Sequence, residues 1–125
     1  MLSIAGCTSS PYDGQWHLTR TPDVKLDACP PATAGWIDFS VDSTLDAPVT
    51  GPQVVPGDTY SQLLPDELVF TTHELVFGDS KESMLLGYHL RANGDHLEGA
   101  VLGEGEPGPH VGCAYSFTAI ATRTR

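Results

Sequence analysis

Apolar and polar residues alternate along most of this chain, and that period predicts strands. Gly14-Gln15-Trp16-His17-Leu18-Thr19-Arg20-Thr21 places Trp16 and Leu18 on one face with polar neighbours between them, the period of a half-buried strand. A second strand is predicted at Trp36–Val41, burying Ile37, Phe39 and Val41, with Cys29-Pro30-Pro31 in the connecting loop. Residues 43–66 carry Pro48, Pro52, Pro56 and Pro65 with Gly51 and Gly57, so strands there are short or at a sheet edge, because proline cannot donate to a ladder. Glu67-Leu68-Val69-Phe70 recurs as Glu74-Leu75-Val76-Phe77. This pair, split by Thr71-Thr72-His73, predicts two short strands, with a short helix as the alternative.

The clearest local signal is Met84–Ala92, then Asn93-Gly94, then Asp95–Leu102. Asn-Gly tolerates the positive φ angles of a two-residue hairpin turn. Counting outward from that turn pairs Ala92 with Asp95, Leu90 with Leu97, His89 with Glu98 and Tyr88 with Gly99. Met84, Leu86, Tyr88, Leu90, Leu97 and Val101 then share the core face, while His89, Arg91, His96 and Glu98 face solvent. A last strand, Cys113–Thr122, turns Cys113, Tyr115, Phe117, Ala119 and Ala121 to one side. Seven to nine strands joined mainly by short turns make an all-β fold. A small antiparallel meander of that size closes into a barrel, since closure removes exposed edges, and a β-sandwich is the alternative.

Composition narrows the picture. A chain of 125 residues fits one domain, and 13 Gly and 10 Pro against a single Asn suit many short elements joined by turns. Sixteen acidic against six basic residues give a formal charge of -10, which repels polyphosphates, so no nucleic-acid partner is expected. The acids run from Asp13 to Glu106 without a block, as on a solvated surface. Cys7, Cys29 and Cys113 show neither CxxC spacing nor paired histidines nearby, so neither a zinc site nor any other metal or cofactor is expected. If the first strand pairs antiparallel with the last, Cys29 comes within reach of Cys113. That disulfide requires an oxidising compartment.

Ile4-Ala5-Gly6-Cys7 resembles the lipobox of bacterial lipoproteins, in which an aliphatic and two small residues precede the cysteine that receives diacylglycerol. A full leader has a basic start and about 7–15 apolar residues, of which Met1–Gly6 would be the end. Thr8-Ser9-Ser10-Pro11 follows as a polar tether. The resemblance implies lipidation at Cys7, membrane attachment and an extracytoplasmic location, with residues 1–12 as lipobox remnant and tether and 13–125 as the barrel domain.

Gly14-Gln15-Trp16 opening a β meander looks like the lipocalin and calycin barrels, where the tryptophan plugs the closed end and the open end binds small apolar ligands or proteins. Trp16, Tyr88, Tyr115 and Phe117 are accordingly the candidate cavity lining, with core packing as their other role. Gly-x-Trp with a cysteine soon after also resembles small secreted barrels that inhibit metalloproteases.

Two motifs invite chemistry. Val76-Phe77-Gly78-Asp79-Ser80 resembles the first block of GDSL esterases, but no Asp-x-x-His follows and the remaining residues read as hairpins, so a turn is expected. Gly103-Glu104-Gly105-Glu106-Pro107-Gly108 satisfies GxGxxG, yet dinucleotide binding needs that motif to open a helix, and a hairpin loop is expected instead. His89, His96 and Glu98 form a solvated cross-strand cluster rather than a metal site, with Arg91 as a cationic neighbour. The expected function is a non-enzymatic envelope lipoprotein that binds a small apolar ligand or an envelope protein. The first alternative is an inhibitor of an extracellular hydrolase, inserting residues 46–66 or the tether into an active site. The remote alternative is an esterase centred on Ser80.

Overall fold

Every inward position expected from the alternation is buried wherever its side chain is described: Trp16, Leu18, Ile37, Phe39 and Val41 on the first two strands, Met84 to Leu90 on the hairpin, and Tyr115 to Ala121 on the last. The computed structural model describes residues 10–23, 34–57, 60–75, 83–105 and 114–124. Among these are eight strands and no helix: β1 (Gly14–Pro22), β2 (Gly35–Val41), β3 (Val49–Thr50), β4 (Ser61–Leu63), β5 (Leu68–Leu75), β6 (Ser83–Asn93), β7 (His96–Gly105) and β8 (Ala114–Arg123). They form one sheet in the order β3-β2-β1-β8-β7-β6-β5-β4, a meander closed on itself where β1 pairs antiparallel with β8.

The two sheet edges are the short strands β3 and β4, as the prolines demand. A single stretch of chain joins them. Val49 and Thr50 pair with Val41 and Ser40 of β2. A few residues on, Val54 bridges Thr72 of β5, Val55 N donates to Thr71 O (2.9 Å) and His73 N donates to Gln53 O (3.0 Å). Inside this seam Phe39 packs on Phe70 at 4.8 Å, and Phe70 stacks on Tyr88 at 4.7 Å. The product is a nearly closed antiparallel barrel of the lipocalin- and calycin-like kind, and its polar edges are covered rather than left free for another strand.

Two sequence expectations are corrected. The Glu67–Phe77 region is not two short strands: β5 runs unbroken through Thr71-Thr72-His73. Threonine is β-branched and suits a pleated strand, and Leu68, Phe70, Thr72 and Glu74 all turn inward. The hairpin turn is Gly94-Asp95 rather than Asn93-Gly94, so Asn93 pairs with His96, Leu90 with Gly99 and Tyr88 with Val101. Gly94 takes φ +65°, at the first central position of the turn, where glycine is favoured. The change of register is two residues, so both faces keep their expected residues.

That register sets Gly99 opposite Leu90, with no room for a side chain against the β6 backbone. A Cβ there would lie 1.9 Å from the carbonyl oxygen of His89, a backbone atom that cannot swing aside. Gly99→Ala is therefore expected to cost about 1–3 kcal/mol in denaturant unfolding. A change below a few tenths would contradict this close approach.

The barrel's ends differ. At one end Trp16 donates from Nε1 to Tyr12 O (2.9 Å), and the guanidinium of Arg123 lies 4.3 Å over the Trp16 ring. Arg123 also donates to the carbonyls of Asp13 and Pro11, and Asp13 accepts from Ser43 N and Oγ at 2.8 and 2.9 Å. This end receives the N-terminal segment, the turn at 94–95 and the connections β2–β3 and β4–β5. The opposite end receives β1–β2, β5–β6 and β7–β8, whose connections include residues 24–33, 76–82 and 106–113, outside the described residues.

Candidate functional site

Toward this second end the inward positions change from apolar to polar. The β1 face runs Trp16, Leu18, Arg20, and the β5 face runs Leu68, Phe70, Thr72, Glu74. Arg20 and Glu74 meet across the interior, Nη1 to Oε1 at 2.5 Å, with side chains only 3% and 6% exposed. Arg20 Nη1 also donates to the Tyr88 hydroxyl at 2.9 Å, which in turn donates to Glu74 Oε2 at 2.6 Å. Thr72 Oγ1 donates to the same carboxylate oxygen.

Both oxygens of Glu74 are thus engaged, by partners on three strands: Arg20 of β1, Tyr88 of β6 and Thr72 of its own strand β5. Arg20 fits because its neighbour in β2 is Gly35: a Cβ there would come within 2.7 Å of Nη2. The guanidinium lies 5.5 Å from the Phe117 ring, and its Nε meets no acceptor among the described residues. Taking two charges out of water costs several kcal/mol per ion, repaid only where geometry and added hydrogen bonds are good. The Tyr88 and Thr72 hydroxyls supply those bonds.

Burial, and then the negative charge of Glu74, push the Tyr88 phenol well above its ordinary value of 10.0. A phenol that binds its proton more tightly when folded contributes stability that is present below pH 10 and lost as pH rises beyond it. The unfolding free energy should therefore fall from about pH 10 upward. In Tyr88→Phe that decline should be shallower. Phenolate absorbance followed alongside denaturant melts measures both, and equal slopes in the two proteins would refute the coupling.

Above this network the seam is open. A depression of about 470 Å³ is lined there by Arg20, Ala34, Gly35, Trp36, Gln53, His73 and Glu74, from the start of β2 to the end of β5. Its rim is built from outward residues and its floor from the inward ion pair. Trp36 is 62% exposed there, with its ring 5.3 Å from that of His17, whose Nδ1 lies 2.7 Å from Asp38 Oδ1.

The structure spreads the four aromatic candidates along the barrel. Trp16 plugs the far end beside Arg123, whereas Tyr115 stands eight residues up β8 near the mouth. Tyr88 and Phe117 are brought together, on two sides of Arg20. All four belong to the buried cluster. Cys7, Cys29, Cys113 and Ser80 lie outside the described residues.

The histidine cluster is rearranged by the observed register. Glu98 stands opposite Arg91, and its carboxyl is held below its usual range by hydrogen bonds from Asn93 (3.0 Å) and then His96 (3.2 Å). His89 points to Glu67 instead, at 3.7 Å. Among the described residues no three His, Cys, Asp or Glu side chains are placed to hold a metal. The glycine motif begins inside β7, with Gly103 paired to both Leu86 and Tyr115, and its residues 106–108 lie outside the described residues. The Pro-rich stretch is committed in part to the seam through residues 49–55.

Arg20 was legible as the third inward position of β1. Thr72 and Glu74 were hidden by the expected break at Thr71-Thr72-His73. Comparison with protein-family models, curated proteins and solved structures finds no match to this chain.

Proposed function

We propose that the chain is an exported bacterial lipoprotein, anchored through Cys7 to the outer side of a membrane, whose barrel engages an envelope molecule at its loop-bearing mouth without transforming it. The observation that carries this reading is the polarity of the barrel. The described segment from Ser10 lies at the plugged end, fastened by the Ser10–Asp13 turn and by Arg123, while the depression and the strand ends that lead into the connections β1–β2, β5–β6 and β7–β8 lie toward the other. An anchor at one end leaves the mouth pointing away from the bilayer. The 11 residues of β6 span about 36 Å of strand between the two ends.

Glu74 supports the non-enzymatic part of the proposal. Its oxygens accept from Arg20, Tyr88 and Thr72, so the carboxylate is held as a fixed ionic partner that orders the mouth. The net charge of -10 suits an outer-surface domain that stays apart from anionic headgroups while the lipid supplies attachment.

Expression behind the native upstream coding sequence in a bacterial host, fed with an alkynyl fatty acid, tests the anchor. The expected product is a membrane-bound chain beginning at acylated Cys7, with label abolished by Cys7→Ser. Recovery of a soluble chain with Cys7 as an unmodified thiol would overturn the lipoprotein reading. Native mass spectrometry of the same material tests the binding role, since a bound envelope species should accompany the barrel.

A further inference from the structure

The mouth depression has three features that barrel packing does not require. The first is Trp36, a large aromatic ring 62% exposed on the rim and braced by His17, which is itself fixed to Asp38. Leaving so much apolar surface wet has no benefit for the fold, whereas a flat ring held in place offers a stacking platform. The second is the floor, where the guanidinium of Arg20 and the carboxylate of Glu74 set a donor group beside an acceptor group. The third is charge. The ion pair is internally neutral, and the chain as a whole carries -10.

These features select a ligand class. An anion would meet Glu74 and the field of the whole chain, and a purely apolar ligand would strip water from Gln53 and from the small exposed part of the Arg20–Glu74 pair without replacing its hydrogen bonds. A neutral molecule with several hydroxyls gives and accepts bonds at once, and a sugar ring adds an apolar C–H face that stacks on an indole. The volume of about 470 Å³ falls within the range of small-ligand sites, about 300–1,000 Å³. We propose that this depression is a subsite for a neutral carbohydrate. One pyranose ring lies against Trp36, and its hydroxyls face Gln53 and the Arg20–Glu74 floor.

This rests on the reading of the mouth as the engaging end, and the test separates the two. The full chain, labelled with ¹⁵N, is titrated with chitotetraose, cellotetraose and maltotetraose at millimolar concentration. At least one should shift the indole N–H of Trp36 and the side-chain amide of Gln53. Trp36→Ala should weaken binding by about tenfold or more, the scale expected when a buried aromatic anchor is lost. Its melting temperature should stay unchanged, because Trp36 faces outward, so loss of binding is not loss of fold. Gln53→Ala should give a smaller loss.

Three outcomes overturn the proposal: no shift with any of the three sugars, equal affinity in Trp36→Ala, or oligopeptides or fatty acids moving these resonances where sugars do not. If sugars fail while acylated chain still carries a bound envelope species, the carbohydrate assignment falls and the binding module stands.

Discussion

Glu74→Ala should lower the unfolding free energy by about 3–5 kcal/mol, because it strands the guanidinium of Arg20 in an interior that leaves that side chain 3% exposed. The Tyr88 hydroxyl and Thr72 Oγ1 would lose the same acceptor, so the variant removes the centre of the network rather than one bond. For a domain of this size the melting temperature should drop by about 10–20 °C. The pair itself need not be strongly stabilising. Replacing both partners by apolar residues, Arg20→Met with Glu74→Leu, should restore stability to within about 1 kcal/mol of the parent or exceed it. If Glu74→Ala costs less than about 1 kcal/mol, water reaches Arg20 and the buried pair is no closed unit. The double variant also separates stability from function, since it would fold while the floor of the mouth lost its polar groups.

The network shows what alternation can and cannot reveal. Arg20 follows Trp16 and Leu18 at the same parity, so its inward direction was readable from β1 alone. Its partner was not, because recognising Glu74 as inward required β5 to continue through Thr71-Thr72-His73, three residues whose polarity looks like a turn. Buried threonine and glutamate in one strand only make sense once Arg20 is known to face them. The barrel seam was hidden for another reason. Residues 49–55 pair with β2 and then with β5 within a few positions, a path set by prolines and long-range contact rather than by any period. The hairpin register shifted because Asn-Gly and Gly-Asp both satisfy a two-residue turn. The faces nevertheless survived, since a slip of two residues preserves parity.

The proposed Cys29–Cys113 disulfide should contribute about 4–5 kcal/mol, the value expected when a crosslink closes so long a loop without strain. The topology supports this pairing over any that includes Cys7. β1 ends beside the start of β8, where Asp23 N donates to Ser116 O at 3.0 Å and the Asp23 carboxylate accepts from Ser116 and Thr118 at 3.1 and 2.6 Å. Cys29 follows Asp23 by six residues and Cys113 precedes Ser116 by three, so at about 3.3–3.6 Å per residue the two sequence separations are short enough for a bridge near this contact. Ser10, three residues after Cys7 in the sequence, is fastened to Asp13 at the plugged end. Protein recovered from an oxidising compartment should yield one crosslinked peptide containing Cys29 and Cys113. The crosslink should persist in Cys7→Ser, and reduction should move the denaturant midpoint downward by the corresponding amount. Three free thiols in that material, or an unchanged midpoint after reduction, would refute the bridge. Because the bridge would tie two of the three connections at the mouth, its loss should also weaken any ligand bound there in the otherwise folded barrel. A reduced chain that keeps full affinity would place binding on the rigid rim of Trp36 and Gln53 alone.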